Sequence, residues 1–151
     1  MFSEIKLRLK KLINSDEKIL DQENKLASDA ILNLFVEAAA IDGEISKLEK
    51  EKILFFLTQK FQFSVSEAKK KLKKAILQSN DQIEIWSKTK SIRSEMTYDE
   101  RLEIIEMIWQ IVLIDEKVDA FEAQLMRRLA GLLFIEDKDS GIAKKRAKEK
   151  L

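Results

Sequence analysis

The stretch Leu34–Ile53 reads L-F-V-E-A-A-A-I-D-G-E-I-S-K-L-E-K-E-K-I, and Met107–Met126 repeats its pattern as M-I-W-Q-I-V-L-I-D-E-K-V-D-A-F-E-A-Q-L-M. The aligned pairs are Asp42 with Asp115, Ile45 with Val118, Ser46 with Asp119, and Glu49 with Glu122. In each copy an apolar helical segment runs into an acidic turn, and a capping signal then opens a second helix. The repeat therefore predicts two helix-turn-helix units.

The composition favours a fold made only of helices. The chain has 151 residues, no proline and three glycines, and 45% of its residues are hydrophobic while 36% are charged. Long helices tolerate so little glycine and proline, whereas a strand-rich fold with many tight turns would need more of both. We expect one all-α domain over residues 1–135, with about seven helices. A polar, basic C-terminal tail over residues 136–151 should follow it.

Apolar stripes and capping boxes predict where the helices lie. The predicted segments are 3–13, about 25–40, 46–62, a helix opening at Ser64, about 81–93, 97–114 and 119–133. Capping boxes are predicted at Ser46, Ser64, Thr97 and Asp119, each followed three residues later by glutamate. The segment 102–114 is apolar on nearly every face, so we expect it to be the central helix, with Trp109 in the core.

Missing residue types exclude several kinds of chemistry. The chain has neither cysteine nor histidine, so thiolate chemistry, the usual zinc ligand sets and a Ser-His-Asp arrangement are excluded. A net charge of +1 gives no global attraction for nucleic acid, and the lysines over 69–74 lack the interleaved aromatic residues that stack on bases. The sequence shows neither a signal peptide nor an apolar run of about 20 residues that could span a membrane. We expect a cytoplasmic protein.

The two acidic turns allow two interpretations. If Gly43 is the sixth position of an EF-hand-like loop, the first and third positions are Ala38 and Ala40, which carry no side-chain oxygen. The second turn is apolar at the same two positions, so neither turn alone can supply the roughly 6–8 oxygen ligands of a calcium ion. Either acids of both turns share one cation, or Glu49 and Glu122 only cap their helices.

Further motifs surround the turns. The first turn carries D-G-x-[IV]-x-x-x-E, the segment Glu100–Trp109 reads E-R-L-E-I-I-E-M-I-W, and Arg127–Leu133 reads R-R-L-A-G-L-L. With these motifs the chain resembles the TerB-like family of bacteria, which is named for tellurite-resistance proteins. The resemblance covers about residues 35–135 and is to the uncharacterised stand-alone branch of that family.

The resemblance implies an all-α fold and a metal site at the acidic turns, with an association with stress response and tellurite resistance. Carried onto this chain, the metal-site acids are Asp42, Glu49, Asp115 and Glu122. Because the donors are carboxylates, the cation would be a hard one: calcium, magnesium or manganese. The chain departs from the family at Glu116 and Lys117, where Gly-Glu is usual, and Lys117 adds a positive charge there.

Three functional hypotheses follow. The first is a non-enzymatic module that binds a divalent cation through both turns and a protein through an exposed face. The second is a purely structural protein-interaction domain whose acids only cap helices. The third is a carboxylate-based, metal-dependent enzyme. No nucleophile, phosphate-cradling glycine loop or cofactor motif accompanies the acids, so we expect no enzymatic activity.

Overall fold

The computed structural model describes residues 18–41, 43–78, 83–115 and 120–151, with side chains from Ser28 onward except over 83–88 and 120–121. These residues form seven helices and no strand, which confirms the all-α class. The helices are α1 (Lys18–Ala39), α2 (Lys47–Gln59), α3 (Val65–Leu77), α4 (Ile83–Glu95), α5 (Tyr98–Leu113), α6 (Ala120–Leu132) and α7 (Asp137–Glu149). The predicted helix at 3–13 lies outside the described residues.

Helix α5 is the most deeply buried element. Every residue from Glu103 to Leu113 is buried, and the helix contacts α1, α2, α6 and α7. Trp109, predicted to lie in the core, is 6% exposed. Helix α1 packs beside α5 and also contacts α2, α3 and α4. Its Phe35 ring lies 5.8 Å from the Phe56 ring and 6.4 Å from the Phe61 ring, and these contacts join the α2 region to the core.

Three of the predicted capping sites lie at the described helix starts. At α2 the Glu49 amide donates to Ser46 Oγ (3.1 Å), and the Ser46 amide donates to Glu49 Oε1 (2.9 Å). Thr97 and Glu100 form the same reciprocal pair at α5, with distances of 3.2 and 2.9 Å. Ser64 accepts the corresponding bond at α3. The fourth predicted cap, Asp119, lies outside the described residues.

The C-terminal stretch differs from its expectation. We expected a polar tail over 136–151, but residues Asp137–Glu149 form helix α7, which packs on α5. Its buried face consists of Ser140, Ala143 and Ala147. Because this face is made of small residues, it lacks the large apolar stripe by which an amphipathic helix is recognised.

The two predicted helix-turn-helix units correspond to α1 with α2 and α5 with α6, and the helices of each pair are in contact. That the two units repeat one arrangement stays a prediction. The segment 53–57 is apolar at every position, but it is not uniformly buried, because Phe55 is 47% exposed.

Candidate metal centre

The first turn follows the end of α1. The Gly43 amide donates to the Ala40 carbonyl at 3.0 Å, and Gly43 has a φ of 106°. This left-handed conformation favours glycine, which commonly follows the end of a helix. The turn brings the chain to Ser46, the N-cap of α2. Asp42, the first predicted ligand, lies outside the described residues.

The second turn follows the end of α5. The Ile114 amide donates to the Ile111 carbonyl at 3.4 Å, a tight final turn that leads directly to Asp115. Residues 116–119 lie outside the described part of the chain, and α6 begins at Ala120. Glu122 lies in the first turn of α6 and is 6% exposed.

A side-chain hydrogen bond joins the two turns. Ser46 Oγ donates to Asp115 Oδ1 at 3.3 Å, between residues 69 positions apart in the sequence. The contact is accompanied by packing of α2 against α5. It brings one predicted ligand of the second turn against the helix start that follows the first turn.

Glu49 lies close to the same point. It is 4% exposed, and its Oε1 accepts the Ser46 amide hydrogen. Ser46 therefore contacts both Glu49 and Asp115, two of the four predicted ligands. The capping bond accounts for the position of Glu49, because the carboxylate satisfies an amide that the helix itself leaves unpaired.

The donor chemistry of this junction suits a hard cation only in part. Ser46, Glu49 and Asp115 provide only oxygen donors, which calcium, magnesium and manganese prefer. Within the described residues, however, no group of three acidic side chains is arranged so that it could hold a metal ion. A complete ligand shell would therefore need Asp42 or residues 116–119, which are outside this part of the chain.

A second polar cluster, between α5 and α7, was not predicted from the sequence. The Tyr98 hydroxyl donates to Asp139 Oδ2, and Trp109 Nε1 donates to Ser140 Oγ at 3.3 Å. Lys150 Nζ lies 2.8 Å from Glu106 Oε1, a carboxylate that is largely buried. The hydrogen bond to Asp139 is the main cause that raises the pKa of Tyr98, and partial burial adds to it.

The sequence did contain one signal for this cluster. Glu100, Glu103, Glu106 and Gln110 recur at helical spacing along α5, and all four are buried. A polar stripe on an otherwise apolar helix indicates that a polar partner covers it, because burying a charge without a partner is costly. That partner is α7 at least at Glu106, where Lys150 follows the end of the helix.

The fold defines the class of this protein: an all-α module in which Ser46, at the start of α2, donates a hydrogen bond to Asp115, just after α5. The sequence model of the family described as tellurite resistance protein TerB matches residues 28–145. The chain belongs to this family. The match extends into α7, which agrees with the packing of that helix on α5. No curated protein and no solved structure matches the chain.

None of the described helices combines the length and the apolar character that crossing a bilayer requires.

Proposed function

We propose that this TerB-family chain is a non-enzymatic module that binds one divalent cation where its two acidic turns meet and contacts a protein partner through an exposed face. The observation that supports cation binding is the hydrogen bond between Ser46 and Asp115. Each turn alone has too few oxygen donors, so a cation site requires that the turns be adjacent. The Ser46–Asp115 contact provides that adjacency.

The four predicted acids would contribute in pairs. Asp42 and Glu49 come from the first helix-turn-helix unit, and Asp115 and Glu122 come from the second. Calcium, magnesium or manganese bound among them would supply a positive charge that offsets the repulsion between carboxylates. Binding would thereby tie α2 to α6 through the ion, and the protein would become more stable in its presence.

A metal-free structural domain is the alternative, and one specific observation favours it. Glu49 already has a structural function, since its carboxylate accepts the Ser46 amide hydrogen in the capping box. In this alternative the acids only start helices, and the Ser46–Asp115 bond only holds the turns together. The protein would still bind a partner, but divalent cations would not change its stability.

The enzyme hypothesis has less support. An enzyme would need a substrate-sized cavity beside the acids. The groove between α2 and α3 is lined by lysines and apolar residues, and the cavity between α1 and α3 has in addition two amides and one acid, Asp29. Among the described residues, neither lining includes Glu49, Asp115 or Glu122, so these two cavities offer no place for a substrate next to those three acids.

A connection with tellurite resistance and stress response also belongs to the proposal, and family membership is its support. The test is survival on tellurite of a host that expresses the protein compared with one that expresses the Asp115→Asn variant. We expect better survival with the native protein. Equal survival of the two would contradict a function of the turns in resistance.

Thermal unfolding with and without divalent cations tests directly whether the folded protein binds a cation. A ligand that binds only the folded state raises the apparent stability by about 2.7 kcal/mol at a hundredfold excess over its dissociation constant. We expect calcium, magnesium or manganese at about 1 mM to raise the melting temperature of the native protein by several degrees. No shift with any of the three would reject cation binding and favour the metal-free domain.

A further inference from the structure

Helices α2 and α3 enclose a groove that the cation proposal does not use. Its volume is about 310 Å³, and it is lined by Lys50 of α2 and by five residues of α3, namely Lys69, Leu72, Lys73, Ile76 and Leu77. The α3 residues are spaced three and four apart, so they form one stripe along the helix. The groove therefore runs along α3 and is open to solvent on one side.

The floor of the groove is apolar. Leu72 is 5% exposed and forms its deepest part, whereas Leu77 is 75% exposed at the C-terminal end of α3. Ile76 is half-buried between them. A leucine as exposed as Leu77 contributes little to the stability of the fold. Together with Ile76 it provides apolar surface for a partner.

The rim of the groove is positively charged. Lys50, Lys69 and Lys73 line it, and no acidic residue is among the described residues of its lining. The cavity on the other side of α3 is different, because it contains Asp29, which lies 3.4 Å from Lys71 Nζ. The positive charge is thus partly neutralised on the α1 side of α3, while the α2 side carries three lysines without an acid.

We infer that this groove is the docking site for an acidic amphipathic helix of a protein partner. Apolar side chains spaced three and four apart on such a helix would reach Leu72, Ile76 and Leu77, as in other helix-in-groove complexes. Acidic side chains flanking that apolar stripe would meet the lysine rim. This inference rests on the proposed binding of a protein partner and specifies that partner. It does not depend on cation binding.

A helix suits the groove better than a membrane surface does. The apolar floor at Leu72 is recessed between two helices, so a ligand must project side chains inward to reach it. A planar bilayer would meet only the lysine amines and the exposed Leu77. Charge attraction alone would then hold it, and the buried part of the floor would stay unused.

The experiment uses the full chain and a synthetic peptide of about 18 residues, or five helical turns. The peptide carries leucines at positions i, i+3, i+4 and i+7 with glutamates on either side of this stripe. One comparison peptide has the same composition in scrambled order, and another has lysine in place of every glutamate. Binding is followed by fluorescence anisotropy and by amide shifts of the isotope-labelled protein, in chelator and again in calcium.

We expect the patterned acidic peptide to bind below about 1 mM and to shift amides of the groove residues, with both comparison peptides at least about tenfold weaker. Because the groove does not involve the turns, affinity should be the same in chelator and in calcium. If the protein binds no cation, the same peptide-binding result is therefore still expected.

Two variants and their controls test the surface. Lys69→Glu/Lys73→Glu should weaken binding about tenfold or more, whereas Lys138→Glu/Lys145→Glu, an equal charge change on exposed α7 positions, should not. Leu77→Ser should weaken it more than Ile142→Ser, another exposed apolar residue. The inference is overturned by equal binding of patterned and scrambled peptides, by equal effects of variant and control, or by binding to phosphatidylserine vesicles without binding to the peptide.

Discussion

At the scale of single residues, Ser46 connects the predictable and unpredictable parts of the candidate site. Its capping box with Glu49 could be predicted, because both partners lie within one turn of the chain and the pattern is local. Its bond to Asp115 could not be predicted, because it depends on how α2 packs against α5 across 69 positions of sequence. The repeat indicated that the two turns are alike, but only the packing brings them together.

A matched pair of glutamates separates capping from cation binding. Glu49 and Glu100 are each 4% exposed and each close a capping box, but Glu100 lies at the other end of α5 from Asp115. At a rise of about 1.5 Å per residue, that is roughly 20 Å away. Glutamine keeps the capping acceptor, so both Glu→Gln variants should change metal-free stability by only about 0.5 kcal/mol or less.

Cation dependence should distinguish the two variants. Glu49→Gln should lose the cation-induced rise in melting temperature, because a hard cation needs the formal charge. Glu100→Gln should retain the full rise. If both variants respond to cations like the native protein, Glu49 is a capping residue alone.

Trp109 tests whether α5 is central to the stability of the fold. Its side chain is 6% exposed and its Nε1 donates to Ser140 Oγ on α7. Trp109→Ala should lower the free energy of unfolding by about 3–5 kcal/mol, measured in urea, since it leaves a large cavity. Trp109→Phe keeps most of the bulk and loses the hydrogen bond, so it should cost about 1–2 kcal/mol. A loss below about 1 kcal/mol for alanine would contradict a central position of the helix.

At the scale of elements, the predictable helices are those with a local signal. Helix α5 follows from its all-round apolar sequence and from the Thr97–Glu100 box, and α2 follows from the Ser46–Glu49 box. These signals lie within one segment of chain and need no knowledge of what packs against it. Helix ends were less accurate, as at α4, whose last residue was predicted near 93 and is observed at Glu95.

Helix α7 is the element that sequence reasoning missed. Its buried positions, Ser140, Ala143 and Ala147, are small, and most of its surface is charged. Its attachment depends on partners far away in the chain, such as Tyr98 for Asp139 and Glu106 for Lys150. A polar helix of this kind looks like a solvated tail until the helix that it covers is known.

The titration of Tyr98, the single tyrosine of the chain, reports whether α7 packs against α5. Its hydrogen bond to Asp139, with some burial, raises its pKa in the folded protein above the value of about 10 in an unfolded chain. The stability from this contact is therefore fully present below about pH 10 and is lost as the pH rises through the folded-state pKa. Unfolding in urea between neutral pH and pH 11 should show a steeper loss for the native protein than for Tyr98→Phe.

The ultraviolet absorbance of tyrosinate measures the pKa of Tyr98 and so reports on its hydrogen bond to Asp139. Asp139→Asn should bring the pKa of Tyr98 back towards its ordinary value, because the carboxylate acceptor is gone. Asp137→Asn, an exposed acid in the same turn of α7, is the matched control and should leave the titration unchanged. An ordinary pKa in the native protein would mean that α7 is not held against α5 at this end.

At the scale of the whole molecule, the structure separates two surfaces that the proposals assign to different ligands. Ser46 and Asp115 meet where α2 packs against α5, and the lysine-rimmed groove lies between α2 and α3. Helix α2 contributes to both, with Ser46 and Glu49 at the first and Lys50 at the second. The two functions can therefore be tested independently, although they share one helix.

Calorimetric titration with calcium, magnesium and manganese measures whether both turns share one cation. Three proteins are compared: the native chain, Asp42→Asn in the first turn and Asp115→Asn in the second. We predict about one ion per native chain for at least one of the cations, and loss of most of its affinity in either variant alone, because each turn lacks enough donors by itself. No cation binding up to about 1 mM would contradict a site shared by both turns. Two independently bound ions, or a loss of affinity in only one of the two variants, would contradict it as well.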